Sequence, residues 1–112
     1  MTLSGADAEQ RSARHLEQNG LQLVCRNYRC RFGEIDLIAE DGAELVFVEV
    51  RLRSRASFGG ALESIDARKQ AKLIAAAQHY LASLSYVPPC RFDVIMLDGA
   101  ENLVWMKNAF SA

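Results

Sequence analysis

Between Gly33 and Arg51, in GEIDLIAEDGAELVFVEVR, acidic side chains interrupt two runs that otherwise look like buried β-strands. Carboxylates leave water at a high cost, so acids inside core-forming strands need a purpose. Ile35 to Ala39 precede Asp41-Gly42, the dipeptide that most readily supplies the positive φ angles of a tight hairpin, and Leu45 to Val50 follow it. A two-residue loop at Asp41-Gly42 sets Glu40 opposite Ala43, Asp36 opposite Phe47 and Glu34 opposite Glu49. Side chains alternate along a strand, so Glu34, Asp36, Leu45, Phe47, Glu49 and Arg51 then share one face, with Ile35, Leu37, Val46, Val48 and Val50 on the other. Asp36 and Glu49 become diagonal neighbours, roughly 7–8 Å apart at the backbone. Two converging carboxylates beside a fixed cation suit a divalent metal, Mg²⁺ or Mn²⁺, and a phosphate. The plain alternative is a hairpin with one wet face whose acids are only solvated. Arg51, on the same face as the acids, weighs against it.

The elements that must position these residues follow from periodicity. Asp7 to Asn19 reads as a helix with Ala8, Ser12, Ala13 and Leu16 on its inner face and Asn19-Gly20 ending it; Glu9 sits near its start, where an acid also favours the helix dipole. Leu21 to Arg31 is rich in β-formers and predicts a first strand. After the hairpin, LRSRASFGGALES reads as an irregular loop. A second helix is expected from Ser64 or Asp66 to Leu84, with Gln70, Leu73, Ile74, Ala77, Tyr80, Leu81 and Leu84 as its stripe. Pro88-Pro89 stops it; Arg91 to Leu97 then predicts a strand, Asp98-Gly99 a turn, and Leu103 to Met106 a last short strand. A strand that follows a helix crossover should lie parallel to the Glu49 strand. The order α-β-β-β-α-β-β gives an α/β fold, a mixed β-sheet flanked by helices. Asp93, among Phe92, Val94 and Met96, is either a third acid near the site or, the favoured reading, structural.

At 112 residues, half of them apolar, the chain is expected to form a single domain over residues 1–112. No apolar run approaches the length of a membrane span, and the N-terminus lacks the apolar centre of a secretory signal, so a cytoplasmic protein with no membrane partner is expected. Cys25, Cys30 and Cys90 have no metal-ligand spacing and read as small reduced core residues; His15 and His79 read as separate helix residues. The formal net charge is -1, yet Arg29, Arg31, Arg53, Arg55, Arg68, Lys69 and Lys72 fall in one central stretch. Arginine, ten of the thirteen basic residues, has the planar fork that fits phosphate oxygens, which points to a nucleic-acid partner.

Asp36 followed by Glu49-Val50-Arg51 after a hairpin resembles the PD-(D/E)xK nuclease superfamily, with Ile35-Asp36 for Pro-Asp and Arg51 for the usual lysine. The longer string GEIDLIA…DG…LVFVEVR, with an N-terminal G-x-x-x-E helix, a central R-K-Q-x-K-L and a late C-R-F-D-V, resembles the YraN family over nearly the whole chain. Those small, largely uncharacterised bacterial proteins are similar to Holliday-junction resolvases. The resemblance implies a restriction-endonuclease-like sheet and a metal-dependent endonuclease acting on nucleic acid, DNA and its branched forms foremost. It also implies a homodimer, since a small single-domain nuclease needs two sites to cut a duplex. By the same resemblance Asp36, Glu49 and Arg51 are catalytic, Glu9 joins Asp36 and Glu49 at the metal, and Glu34 and Gln70 support the site. The resemblance also sets the basic end of the first strand, Arg29 and Arg31, against the phosphate backbone, and Arg53, Arg55, Arg68, Lys69 and Lys72 are further candidates for that contact. Arginine stays protonated and cannot act as a base, which leaves a second possibility: a non-catalytic nucleic-acid-binding module on a nuclease fold. A third is an assembly factor in which Asp36 and Glu49 are structural.

Overall fold

A computed structural model describes residues 3–53, 65–99 and 102–112. The elements follow the expected order: α1 (Gly5–Gln18), β1 (Gln22–Cys30), β2 (Gly33–Asp41), β3 (Glu44–Leu52), α2 (Ala67–Leu81), β4 (Cys90–Leu97) and β5 (Leu103–Phe110). Helix α1 opens on a capping box in which the Ser4 hydroxyl and the Asp7 carboxylate each satisfy the other's backbone N–H. Helix α2 opens on Asp66, whose carboxylate accepts the Lys69 N–H at 2.8 Å.

The five strands form one mixed sheet in the order β1-β2-β3-β4-β5. Strand β4 runs parallel to β3, as the helical crossover requires, and every other neighbouring pair is antiparallel. On one face Ala8, Ala13 and Leu16 of α1 meet Leu37, Ala39, Val46, Val48, Ile95 and Leu97. On the other, Leu73, Ala76 and Ala77 of α2 meet Ile35, Ile38, Leu45, Phe47, Phe92 and Val94. Being covered on both sides, β4 is buried from Phe92 to Leu97, which is why it reads as a nearly unbroken apolar run.

The hairpin register differs from the sequence expectation. Asp41 pairs with Glu44 and Ile38 with Phe47, so the loop is Gly42-Ala43, with Gly42 at φ 61°. A two-residue slip keeps every side chain of β3 on its expected face, so Leu45, Phe47, Glu49 and Arg51 still project together. The alternation of β2 does break. Ile35 packs with Phe47 and Ile38 on the α2 side, whereas Leu37, two residues on, packs with α1. Residue 36 lies at this reversal, and the β2–β3 pairing ends beside it at Leu37↔Val48.

Strand β5 extends four residues beyond the expected Met106 because Phe110 stacks on Phe92 at 4.8 Å between ring centroids, a contact that alternation along a short strand does not reveal. Asp93 is structural, as expected: 1 % exposed, it accepts hydrogen bonds from Arg91 Nε, Trp105 Nε1 and the Asn108 N–H, all within 3.0 Å. The Arg91 fork also reaches Asp41 and Glu44, tying the hairpin turn to the start of β4. The cysteines are free; Cys25 and Cys30 are half-buried, but Cys90 is exposed at the start of β4, contrary to its expected place in the core. Ser57, Gly59, Gly60 and most of the expected irregular loop lie outside the described residues.

Candidate active site

Where β2 and β3 part, the Asp36 carboxylate takes the place of a ladder acceptor: Oδ2 receives the Val50 N–H at 2.8 Å. From there the Asp36 carboxyl interacts with Glu49 of β3 and with the charges of Lys69 on α2 and Glu9 on α1. Beyond the last β2–β3 pair, Leu37↔Val48, the Asp36 and Glu49 carboxyl groups meet in a side-chain hydrogen bond. Burial, and hydrogen bonding and charge repulsion with the Glu49 carboxyl, raise Asp36 from its ordinary 3.8 to about 7, against the stabilising Val50 N–H and the positive charge of Lys69. Two carboxyl groups that resist joint ionisation are a common mark of functional sites.

Glu49 is 5 % exposed. Its Oε2 receives no hydrogen bond but faces two cations, Lys69 Nζ at 3.3 Å and Arg51 Nη1 at 3.6 Å. Arg51 thus stands where the sequence placed it. Lys69, expected only to meet phosphate, also reaches the buried acid. The signal was in the helical spacing, for Lys69 precedes Leu73 by one turn and Ala76 by two, both buried on the inward stripe. The cap at Asp66 fixes the first turn from which Lys69 projects.

Glu9 approaches from the α1 side. Burial and then the negative charge of Asp36 raise its pKa, and a hydrogen bond with Asn27 opposes the rise. Asn27 was another omission; it holds a left-handed conformation (φ 52°), a turn chemistry open to asparagine, within β1. Glu9 is near Asp36, yet among the described residues no three acidic, histidine or cysteine side chains converge tightly enough to make a complete metal-binding set. The donors present, two oxygen-only carboxylates with one buried oxygen lacking a hydrogen bond, fit a hard cation such as Mg²⁺ or Mn²⁺, which keeps waters and uses few protein ligands beside substrate phosphate.

Glu34 stands with Glu9 rather than with Glu49: its negative charge helps to raise the Glu9 pKa. It lies across from Arg29 on β1 and forms an ion pair with it at 3.5 Å, because the reversal in β2 separates it from Glu49. Gln70 donates to the Ile65 carbonyl at 2.9 Å, bracing the approach to α2. Arg31 lies over the Phe32 ring, Arg53 Nη1 rests 3.5 Å from the Leu52 carbonyl, and Arg68 and Lys72 are exposed. Arg55 lies outside the described residues.

Residues 8–97, most of the chain, match the profile of the uncharacterised protein family UPF0102. The chain belongs to the UPF0102 family, the YraN-type family. Relatives named UPF0102 protein include one of Dechloromonas aromatica, 57 % identical over 111 residues and covering 99 % of this chain and 91 % of that protein. Another, of Janthinobacterium sp., is 54 % identical over 110 residues, with 98 % and 89 % covered, and a third, of Pseudomonas fluorescens, is 51 % identical over 115 residues, with 97 % and 94 % covered. UPF0102 membership bears out the resemblance of the GEIDLIA and LVFVEVR strings. No described helix is long and apolar enough to cross a membrane.

Proposed function

We propose that this UPF0102 chain is a metal-dependent endonuclease that hydrolyses phosphodiester bonds in nucleic acid, DNA foremost. The observation that supports this most is half-buried Asp36 beside buried Glu49, with Lys69 and Arg51 both directed at Glu49. Two adjacent carboxyl groups, one buried and one half-buried, with two cations at ion-pair distance from Glu49, suit a ligand that carries both positive and negative groups, such as a divalent cation bound to phosphate. Asp36 and Glu49 would hold Mg²⁺ or Mn²⁺, which supplies a polarised phosphoryl oxygen and a water of lowered pKa. The chain does the rest. The Val50 N–H fixes the carboxylate of Asp36 and Glu9 adds a further negative charge behind it. Arg51 offers its planar fork to the charge that grows on the phosphoryl oxygens, and Lys69 brings the compact ammonium that Arg51 cannot imitate. The arrangement thus answers the missing lysine of the Glu49-Val50-Arg51 motif with one from α2.

The test is cleavage of labelled branched, flapped and single-stranded DNA with Mg²⁺ or Mn²⁺, using the wild type, Asp36→Asn and Glu49→Gln. Metal-dependent cuts lost in both variants support the proposal. Salt-sensitive DNA binding without cleavage would select the binding module instead.

A further inference from the structure

On the α2 side of the sheet, beyond the acid pair, the turn between β1 and β2 carries an exposed aromatic. Phe32 is 40 % exposed, with the Arg31 guanidinium 4.8 Å above its ring centroid and the His79 ring 5.8 Å away. His79 Nδ1 is hydrogen-bonded to Tyr28 Oη, which holds the imidazole against the shelf. The turn is seated on α2: a Cβ at Gly33 would stand 3.6 Å from the Lys72 carbonyl oxygen, and φ at Gly33 is 151°. Along α2, Lys69, Lys72 and His79 recur at three and then seven residues, so one side of the helix leads from Glu49 to Phe32. Phe32, in the turn just before β2, is four residues from Asp36, about 13 Å at the rise of an extended strand.

A protein interior would bury such a ring, and a purely electrostatic contact with duplex phosphates has no use for it. A planar guanidinium on an exposed aromatic, beside exposed Lys72, matches the surface that takes an unstacked base while its phosphates run along the cations. We infer that Arg31, Phe32 and His79 form a stacking shelf for an unpaired base, and that the substrate is nucleic acid with single-stranded character next to the cleaved phosphate. Lys72 holds the intervening backbone. Continuous duplex, whose base faces are hidden, does not use the shelf. The inference rests on the nucleic-acid partner proposed above and adds the substrate class.

The experiment uses the full chain in metal-free buffer and a short single-stranded DNA carrying 2-aminopurine, with a duplex of the same sequence as comparison. Stacking quenches the probe; the expected result is quenching by the wild type and by Phe32→Trp. Phe32→Leu, whose fold is checked by circular dichroism, should lose the quenching and bind about tenfold more weakly, the scale of one lost base–aromatic stack. Equal affinity for single strand and duplex, or unchanged quenching with Phe32→Leu, overturns the shelf. Cleavage with Mg²⁺, measured in parallel, separates the two proposals. Normal quenching without cleavage removes the hydrolase and keeps the shelf, whereas cleavage insensitive to Phe32→Leu on every DNA removes the shelf and keeps the hydrolase.

Discussion

Asp36 is where the demands of folding and of the proposed chemistry conflict. Its folded-state pKa of about 7 lies above the ordinary 3.8, so the folded protein holds this proton more tightly than the unfolded chain does. The stability that the proton contributes is intact below about pH 4 and is lost as pH rises towards 7. Asp36→Asn removes that titration while keeping an oxygen for the Val50 N–H. Between pH 5 and pH 8 the variant should therefore lose less stability than the wild type, by on the order of 2 kcal/mol, measured by urea unfolding at both pH values. The same substitution should abolish metal-dependent cleavage. The two cations separate in a similar way: Lys69→Met should lower cleavage by about a hundredfold as a charge near the transition state is lost. Arg51→Lys, which restores the residue of the nuclease motif, should retain or raise it. Single-turnover rates on one DNA substrate decide both.

At the scale of the elements, the site depends on a seam between β2 and β3 and on the first turn of α2. Asp66→Ala removes the cap that fixes that turn, an expected loss of about 1 kcal/mol and about 4 °C in Tm, together with slower cleavage because Lys69 loses its anchor. Asp93→Ala tests the opposite case. Leaving Arg91 without its buried partner should cost about 3–5 kcal/mol, yet the folded fraction should cleave at the wild-type rate, since Asp93 faces Trp105 and Asn108 rather than the acid pair. Thermal melts and rates corrected for the folded fraction check both.

The elements themselves were legible in the sequence, because Ala8, Ser12, Ala13 and Leu16 repeat at helical spacing and β3 and β4 are framed by turn residues. The sharing of one face by Glu49 and Arg51 was legible too, since it depends only on the period of a strand. The reversal at Asp36 was not. It arises when two layers of core draw Ile35 and Leu37 to opposite sides, a competition between α1 and α2 that no local pattern encodes. Lys69 was half legible: its spacing placed it on the inward stripe, but its charge argued for the surface, and only the buried Glu49 reconciles the two.

Across the whole molecule, two helices cover opposite faces of one sheet, and the acid pair lies where both layers reach it, Glu9 from α1 and Lys69 from α2. Exposed Arg31, Arg68 and Lys72 should give DNA binding a steep salt dependence, and Lys72→Glu should weaken binding and flatten that slope by about one ion, read from affinities at several salt concentrations. The proposed homodimer would place two such sites on one duplex, and light scattering at micromolar concentration should give twice the 12.4 kDa chain mass.

The most direct measurement is calorimetric titration of Mn²⁺ into the wild type, Asp36→Asn and Glu49→Gln at pH 6 and pH 8. One site is expected in the wild type, tighter at pH 8 as Asp36 gives up its proton, and none in either variant. Heats that are absent in the wild type, or identical in all three proteins, would contradict this.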